Sequence, residues 1–199
     1  MTRAVFLDRD GVINQKAPEG QYVTRWEDFH LLPGVVEGIA LLNRAGFSVI
    51  VITNQRGIAK GQMTEADLEK MHERMAGVLA EAGAIIDGTY YCPHELEASC
   101  GCRKPSPGML FSAARARSIE LPASWMIGDS DIDVAAGRNA GCKTARLFAT
   151  HETLDETGRR FDRPSSADIV ASSLLHAIRQ ILQWEQIAAC SFTTDLMAS

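Results

Sequence analysis

Short apolar runs alternate along this chain with longer stretches whose apolar residues recur every three or four positions. The runs at 4–7, 48–53, 88–92, 125–128 and 144–148, with a weaker one at 168–170, read as strands buried on both faces. Between the first two, Pro33-Gly34 opens a helix that carries Val35, Ile39 and Leu42 on one side, runs through Ala45 and stops at Gly46. Thr64-Glu65-Ala66-Asp67 has the form of a capping box ahead of Leu68, Met71, Met75 and Leu79, and Gly83 ends that helix. Ser106 caps a further helix with Pro107 in its first turn, and Asp131 starts another that ends near Gly141. A final amphipathic helix over 174–187 shows Leu174, Leu175, Ile178, Ile181 and Leu182 on one stripe, the ordinary pattern of a helix docked on a core. Strands alternating with helices predict an α/β fold of three layers, a Rossmann-like parallel sheet with helices on both faces. The segment 150–166 is polar, and 191–199 reads as a loose tail.

At 199 residues the chain is long enough for one sizeable core, so a single domain over 1–190 is expected. A net charge of −5 argues against nucleic acid as a partner. No apolar stretch reaches the roughly 18 residues that span a bilayer, and Met-Thr-Arg leads into the first strand without a signal-peptide pattern. The expectation is a cytoplasmic protein with no membrane partner, acting as a monomer. Five cysteines, three of them crowded at Cys92, Cys100 and Cys102, make a poor disulfide framework and a better metal site.

The chemistry lies where strands end. Asp8-Arg9-Asp10-Gly11 puts two carboxylates two residues apart after the first apolar run. Such neighbours raise each other's pKa unless a cation or hydrogen-bond donors hold them ionised. One can act as nucleophile and the other handle a proton, with a divalent cation beside them. Taken alone, these letters also form ordinary Asp-rich turns. Thr53-Asn54-Gln55 ends the second run, and its hydroxyl and amides either cap a turn or donate to a phosphoryl oxygen. Arg103-Lys104-Pro105 precedes a helix start, where cations and free amides favour an anion. Asp129-Ser130 follows the fourth apolar run, with Asp131 and Asp133 behind. Hard carboxylate oxygens there suit magnesium, although Asp131 and Asp133 also serve simply to start a helix.

These four pieces, in this order over residues 4–148, resemble the haloacid-dehalogenase-like phosphatases. The resemblance implies that Asp8 attacks phosphorus, and that Asp10 protonates the leaving oxygen and then activates water. It further implies magnesium on the Asp8 side chain, the Asp10 backbone carbonyl and Asp129, with Thr53 and Lys104 stabilising the transferred group. The intervals between these pieces leave no room for a large cap domain, so selectivity falls to loops at Lys16 to Tyr22, at Arg56 to Gln62 and in the cysteine-rich stretch.

That stretch offers Cys92-Pro93-His94 and Cys100-Gly101-Cys102, three thiolates and an imidazole, the natural set for a closed tetrahedral zinc site; a chance cluster or a Cys100–Cys102 redox pair is the alternative. A zinc-binding loop at 92–102 would pin Arg103 and Lys104. Together with Thr53 to Gly61 and Cys102 to Met109, the loop resembles the subgroup of heptose 1,7-bisphosphate 7-phosphatases and histidinol-phosphate phosphatases, the heptose branch more closely. By this resemblance the chain hydrolyses the 7-phosphate of a small bisphosphorylated heptose on the route to nucleotide-activated heptose. Arg9, Glu19, Gly20, Gln21, Tyr22, Asn54, Gln55, Arg56, Lys60, Arg103 and Ser130 would bind that substrate. The five residues between His94 and Cys100 form a short connection also seen in the histidinol-phosphate branch, which stands as the alternative. A zinc-stabilised sugar-phosphate-binding module without activity is the alternative of another class.

Overall fold

Strands β1 (Ala4–Leu7), β2 (Ser48–Asn54), β3 (Gly88–Cys92), β4 (Trp125–Gly128), β5 (Lys143–Leu147) and β6 (Ile169–Ala171) pair in parallel in the order β3-β2-β1-β4-β5-β6. The computed structural model describes residues 2–148 and 166–196, the last ten by backbone alone. Five helices cover the sheet: α1 (Val35–Arg44), α2 (Glu65–Glu81), α3 (Gly108–Arg117), α4 (Asp131–Asn139) and α5 (Leu174–Leu196).

Side-chain alternation along the strands divides the core in two. Val5, Leu7, Val49, Val51, Trp125 and Ile127 face one layer, where they meet Val35, Ile39, Leu42, Met71, Met75, Leu79, Leu174, Ile178 and Ile181 from α1, α2 and α5. Ala4, Phe6, Ile50, Ile52 and Met126 face the other, against Met109, Leu110, Ala113, Ala136 and Ala140 from α3 and α4 and the turn that follows. Gly38 lets α1 and α5 close on each other, because a Cβ there would stand 2.8 Å from Cδ1 of Ile178. The capping box at α2 forms as its letters predict: the Asp67 amide donates to Thr64 Oγ1 at 3.1 Å, and the Thr64 amide to the Asp67 carboxylate at 3.1 Å.

Strand and helix positions agree with the sequence reading to within a few residues, with two differences. Pro107 stands at the N-cap of α3 and not inside its first turn. The stretch expected as a loose tail, 191–199, begins inside α5, which continues to Leu196 because neither glycine nor proline interrupts the chain after Trp184. The polar segment 150–166 falls, except for Ser166, outside the described residues.

The winding fixes where chemistry can sit. From β1 the chain steps outward to β2 and β3, then returns to place β4 on the opposite side of β1. The carboxyl ends of β1 and β4 therefore flank the switch point, where open α/β sheets hold ligands. Among the described residues no lid domain covers it: one helix, α1, lies between β1 and β2 apart from a short 3-10 turn, and α2 alone lies between β2 and β3.

The opposite edge of the sheet is closed by one carboxylate. Glu185 of α5 accepts from Arg3 Nη1 at 3.1 Å, Trp125 Nε1 at 3.1 Å and Lys143 Nζ at 2.8 Å, joining the amino ends of β1, β4 and β5. Replacing Glu185 by Ala should cost about 2 kcal/mol in urea unfolding, the loss of charge-assisted bonds that leaves Trp125 without its acceptor. Turnover per folded molecule should stay unchanged, since the cleft is at the other end of the strands.

Candidate active site

A cleft of about 330 Å³ opens at the carboxyl ends of β1, β2 and β4. Asp8, Asp10, Glu19, Gly20, Gln21, Tyr22, Thr53, Asn54, Gln55, Arg103, Lys104, Asp129 and Ser130 all line it, so residues far apart in the sequence meet as their motifs predict. Three predicted residues do not. Arg9 is fully buried, with its guanidinium turned behind Asp10, so it is not a wall of the cleft. Its expected place among the substrate contacts is corrected by the reversal of side-chain direction between successive residues leaving a strand. Arg56 is drawn to Glu95, with Nε 2.5 Å from the carboxylate, and the Lys60 ammonium stands 5.9 Å from the centre of the Tyr22 ring.

The centre of the site is a buried ammonium. Lys104 Nζ lies 2.8 Å from Asp8 Oδ1 and 2.6 Å from Asp133 Oδ1, and donates to the Ile52 carbonyl at 2.9 Å. Burial works against its charge, yet Asp133 and Asp8 outweigh burial and raise its pKa. Burial pushes the Asp8 pKa up to about 7; Lys104 opposes that rise, while Asp133 and Asp10 add to it. Asn54 sets the height of Lys104 by a double clamp on its backbone, accepting from the Lys104 amide at 3.1 Å and donating to its carbonyl at 3.2 Å.

Asp10 is held by three donors. Arg9 Nη2 lies 2.9 Å from its carboxylate, Asn14 Nδ2 reaches Oδ1 at 2.9 Å, and Gln55 Nε2 reaches Oδ2 at 3.0 Å. Burial raises its pKa, but Arg9 and the amide donors prevail and bring it below the usual carboxylate value. Gln55 also donates to Thr53 Oγ1 at 2.8 Å, which leaves the threonine hydroxyl proton free. Behind Arg9 lies His72, whose pKa is driven down to about 3 by burial and by the guanidinium.

Asp129 is met by Lys16 at 2.7 Å, and burial raises its pKa despite that cation. Gly11, with a φ of 93°, passes so near that a Cβ would run into the Asp129 carboxylate. Gly128 is required in the same way, by the side chain of Asp133. Carboxylate oxygens of Asp8, Asp129 and Asp133 lie within 4.8 Å of one another. Asp133 is already taken, by Lys104 on Oδ1 and by the Ser130 amide and hydroxyl on Oδ2, so Asp8 and Asp129 are the oxygens left for a hard cation.

The second cluster lies at the end of β3. Cys92 Sγ stands 3.5 Å from His94 Nδ1 and 3.7 Å from Cys100 Sγ, and Cys102 Sγ stands 3.3 Å from both Cys92 Sγ and His94 Nδ1. Thiolates at about 2.3 Å from a tetrahedral zinc ion would be roughly 3.8 Å apart, so the spacing of the donors fits that ion, and the cysteines are free. The loop holds Arg103 directly, through a 3.2 Å bond from Nη1 to the His94 carbonyl.

Asn14 and His72 belong to this environment without any place in the sequence reading, whereas Lys16 enters there only as the start of a selectivity loop and Asp133 only as one of the acids behind Asp129. For Asn14 a signal existed, a lone amide four residues after Asp10 and next to the apolar pair Val12-Ile13. Asp133 reads equally well as a residue that favours a helix start, the loop reading of Lys16 does not foresee its bond to Asp129, and nothing local marks His72.

A family model described as HAD-hydrolase-like matches residues 101–177. The D-glycero-beta-D-manno-heptose-1,7-bisphosphate 7-phosphatase of Escherichia coli K12 is 42% identical over 182 residues, covering 86% of this chain and 89% of that protein. The protein of that name from Photorhabdus laumondii is 39% identical over 178 residues, covering 86% of this chain and 90% of its own. A crystal structure of D,D-heptose 1,7-bisphosphate phosphatase from B. bronchiseptica complexed with magnesium and phosphate matches with a TM-score of 0.78 at 31% identity, over 92% of this chain and 99% of that one. The chain belongs to the haloacid-dehalogenase-like phosphatases and, within them, to the family of the heptose-1,7-bisphosphate 7-phosphatases.

Removing one carboxylate from the buried triad tests its energetics. Asp133→Ala leaves Lys104 with a single anionic partner, and the expected loss is about 3 kcal/mol in urea unfolding.

Proposed function

We propose that this protein removes the 7-phosphate of D-glycero-D-manno-heptose 1,7-bisphosphate by way of a phosphoaspartate at Asp8, as a step toward nucleotide-activated heptose. The observation that carries the reading is the buried Lys104 ammonium on Asp8, at the switch point of a chain that belongs to this phosphatase family. Lys104 opposes the protonation that burial favours at Asp8, and the ionised form offers an oxygen to attack.

In the first step Asp8 forms a bond to phosphorus as the bond to the sugar oxygen breaks, and Asp10, whose hold on a proton is strengthened by the negative charge of the bound phosphate relative to the empty cleft, gives a proton to that oxygen. In the second, Asp10 takes a proton from water as the water oxygen attacks phosphorus, releasing inorganic phosphate and restoring Asp8. Arg9, Asn14 and Gln55 fix the direction of the Asp10 carboxylate throughout. The Thr53 hydroxyl, accepting from Gln55, has its proton to donate to a phosphoryl oxygen, and Lys104 supplies charge on the other side.

Magnesium, with Asp8, Asp129 and the Asp10 backbone carbonyl as its protein ligands, would neutralise phosphate charge as Asp8 approaches. The fit is supported by the two carboxylates that the lysines do not saturate. Arg103 lines the cleft and provides a cation for the second phosphate, with Glu19, Gly20, Gln21, Tyr22 and Ser130 forming the remaining wall. Asn54 and Gln55 act mainly by holding Lys104, Thr53 and Asp10 in place, and Arg56 and Lys60 stand outside the lining.

Zinc on Cys92, His94, Cys100 and Cys102 completes the reading as a structural ion. A cytoplasmic location accords with a cluster of free thiols, which a reducing compartment preserves. No helix among the described residues is long and apolar enough to cross a membrane.

Phosphate release from heptose 1,7-bisphosphate, offered as each anomer, should exceed release from histidinol phosphate by at least about tenfold, and Asp8→Asn should abolish it, as expected for loss of a nucleophile. A preference for histidinol phosphate would overturn the sugar assignment, full turnover by Asp8→Asn would overturn the phosphoaspartate at Asp8, and binding of the bisphosphate without phosphate release would revive the binding-module reading. Cys102→Ser should lose zinc by elemental analysis and raise KM through disorder of Arg103, with magnesium dependence unchanged. Full activity in zinc-free protein would remove the role given to this loop.

A further inference from the structure

The guanidinium of Arg9 is shut away from solvent, and its bonds are few. Nη2 lies 2.9 Å from the Asp10 carboxylate, Nη1 lies 3.4 Å from His72 Nε2 and 3.7 Å from Met71 Sδ, and Nε has no hydrogen-bond partner. The Phe29 ring stands 5.9 Å from its central carbon. Because the side chain is fully buried, water cannot replace a bond that is lost. A thioether is a weak acceptor, so the imidazole is the one directional contact on Nη1.

His72 is suited to that part. It projects from the buried stripe of α2, flanked by Met71 and Met75, and its ring tilts against Tyr91 at a centroid distance of 6.2 Å. Burial beside a permanent cation keeps the imidazole neutral, with a lone pair at Nε2 for the guanidinium. The Arg9 guanidinium is planar and rigid, so a fixed Nη1 also fixes where Nη2 points.

We propose that His72 is a positioning residue that acts through Arg9 to aim the Asp10 carboxylate at the leaving oxygen. The inference rests on the reading of Asp10 as the group that protonates that oxygen. It makes a demand that general stabilisation of the core does not: the effect must depend on how much the leaving group needs a proton.

The test compares kcat/KM, which reports steps through phosphoenzyme formation, on heptose 1,7-bisphosphate and on p-nitrophenyl phosphate. A nitrophenolate departs without a proton; a sugar alkoxide does not. His72→Leu should lower kcat/KM about tenfold on the sugar substrate and less than about twofold on the aryl one. His72→Gln, which offers an oxygen acceptor near the Nε2 position, should recover most of the sugar activity. Equal losses on both substrates, or no loss on either, would overturn the proposal. Should His72→Leu fail to fold, His72→Met takes its place, with a thioether as weak an acceptor as Met71. Asp10→Asn, measured alongside, separates the two levels: a selective loss there with none in the His72 variants sinks the positioning role alone, whereas a non-selective loss in Asp10→Asn sinks the proton-donor reading beneath it.

Discussion

A lysine ammonium buried between two carboxylates is the constraint on which this molecule turns. Lys104 joins β1 through Asp8, β2 through the Ile52 carbonyl and α4 through Asp133, so three parts of the sheet region share one charge. Bringing these ions out of water is costly and is offset only by tight geometry and by acceptors for every ammonium proton. The fold meets that condition: three acceptors stand within 2.9 Å, and Asn54 clamps the Lys104 backbone from both sides. The same arrangement leaves Asp8 poised between burial, which favours its protonation, and a cation that resists it.

Much of this was legible because the residues that make the chemistry also end strands. Asp8, Thr53 and Asp129 follow apolar runs that read unambiguously as buried strands, and parallel topology then forces them together at one edge. Their partners were harder to see. Asp133 occupies a position where an acid also favours a helix start, so its pairing with Lys104 appears only once α4 is laid against β4. Arg9 shows the opposite failure. It sits inside the most informative motif, yet its direction depends on the pleat, and the pleat sends it into the core. His72 carries no local mark at all, since a polar residue on an apolar helical face becomes meaningful only when its buried neighbour is known.

The two ends of the sheet divide their tasks. At the amino ends Glu185 gathers Arg3, Trp125 and Lys143 and fastens α5 to the strands. At the carboxyl ends charges are gathered at higher cost, because a phosphate and a cation are to share the space. The four soft donors at the end of β3 belong to the second group: holding zinc as proposed, they would stiffen a loop without regular structure just before Arg103 and Lys104, where a displacement would be felt directly by Asp8.

The uncovered cleft bears on the fate of the phosphoenzyme. With no described element folded over the cleft, water would reach the proposed phosphoaspartate at Asp8 once the sugar departs, and the abundance of that acceptor would favour hydrolysis over transfer to a second alcohol. The commitment to being a hydrolase and not a phosphotransferase is, on this view, written in the short connections between strands.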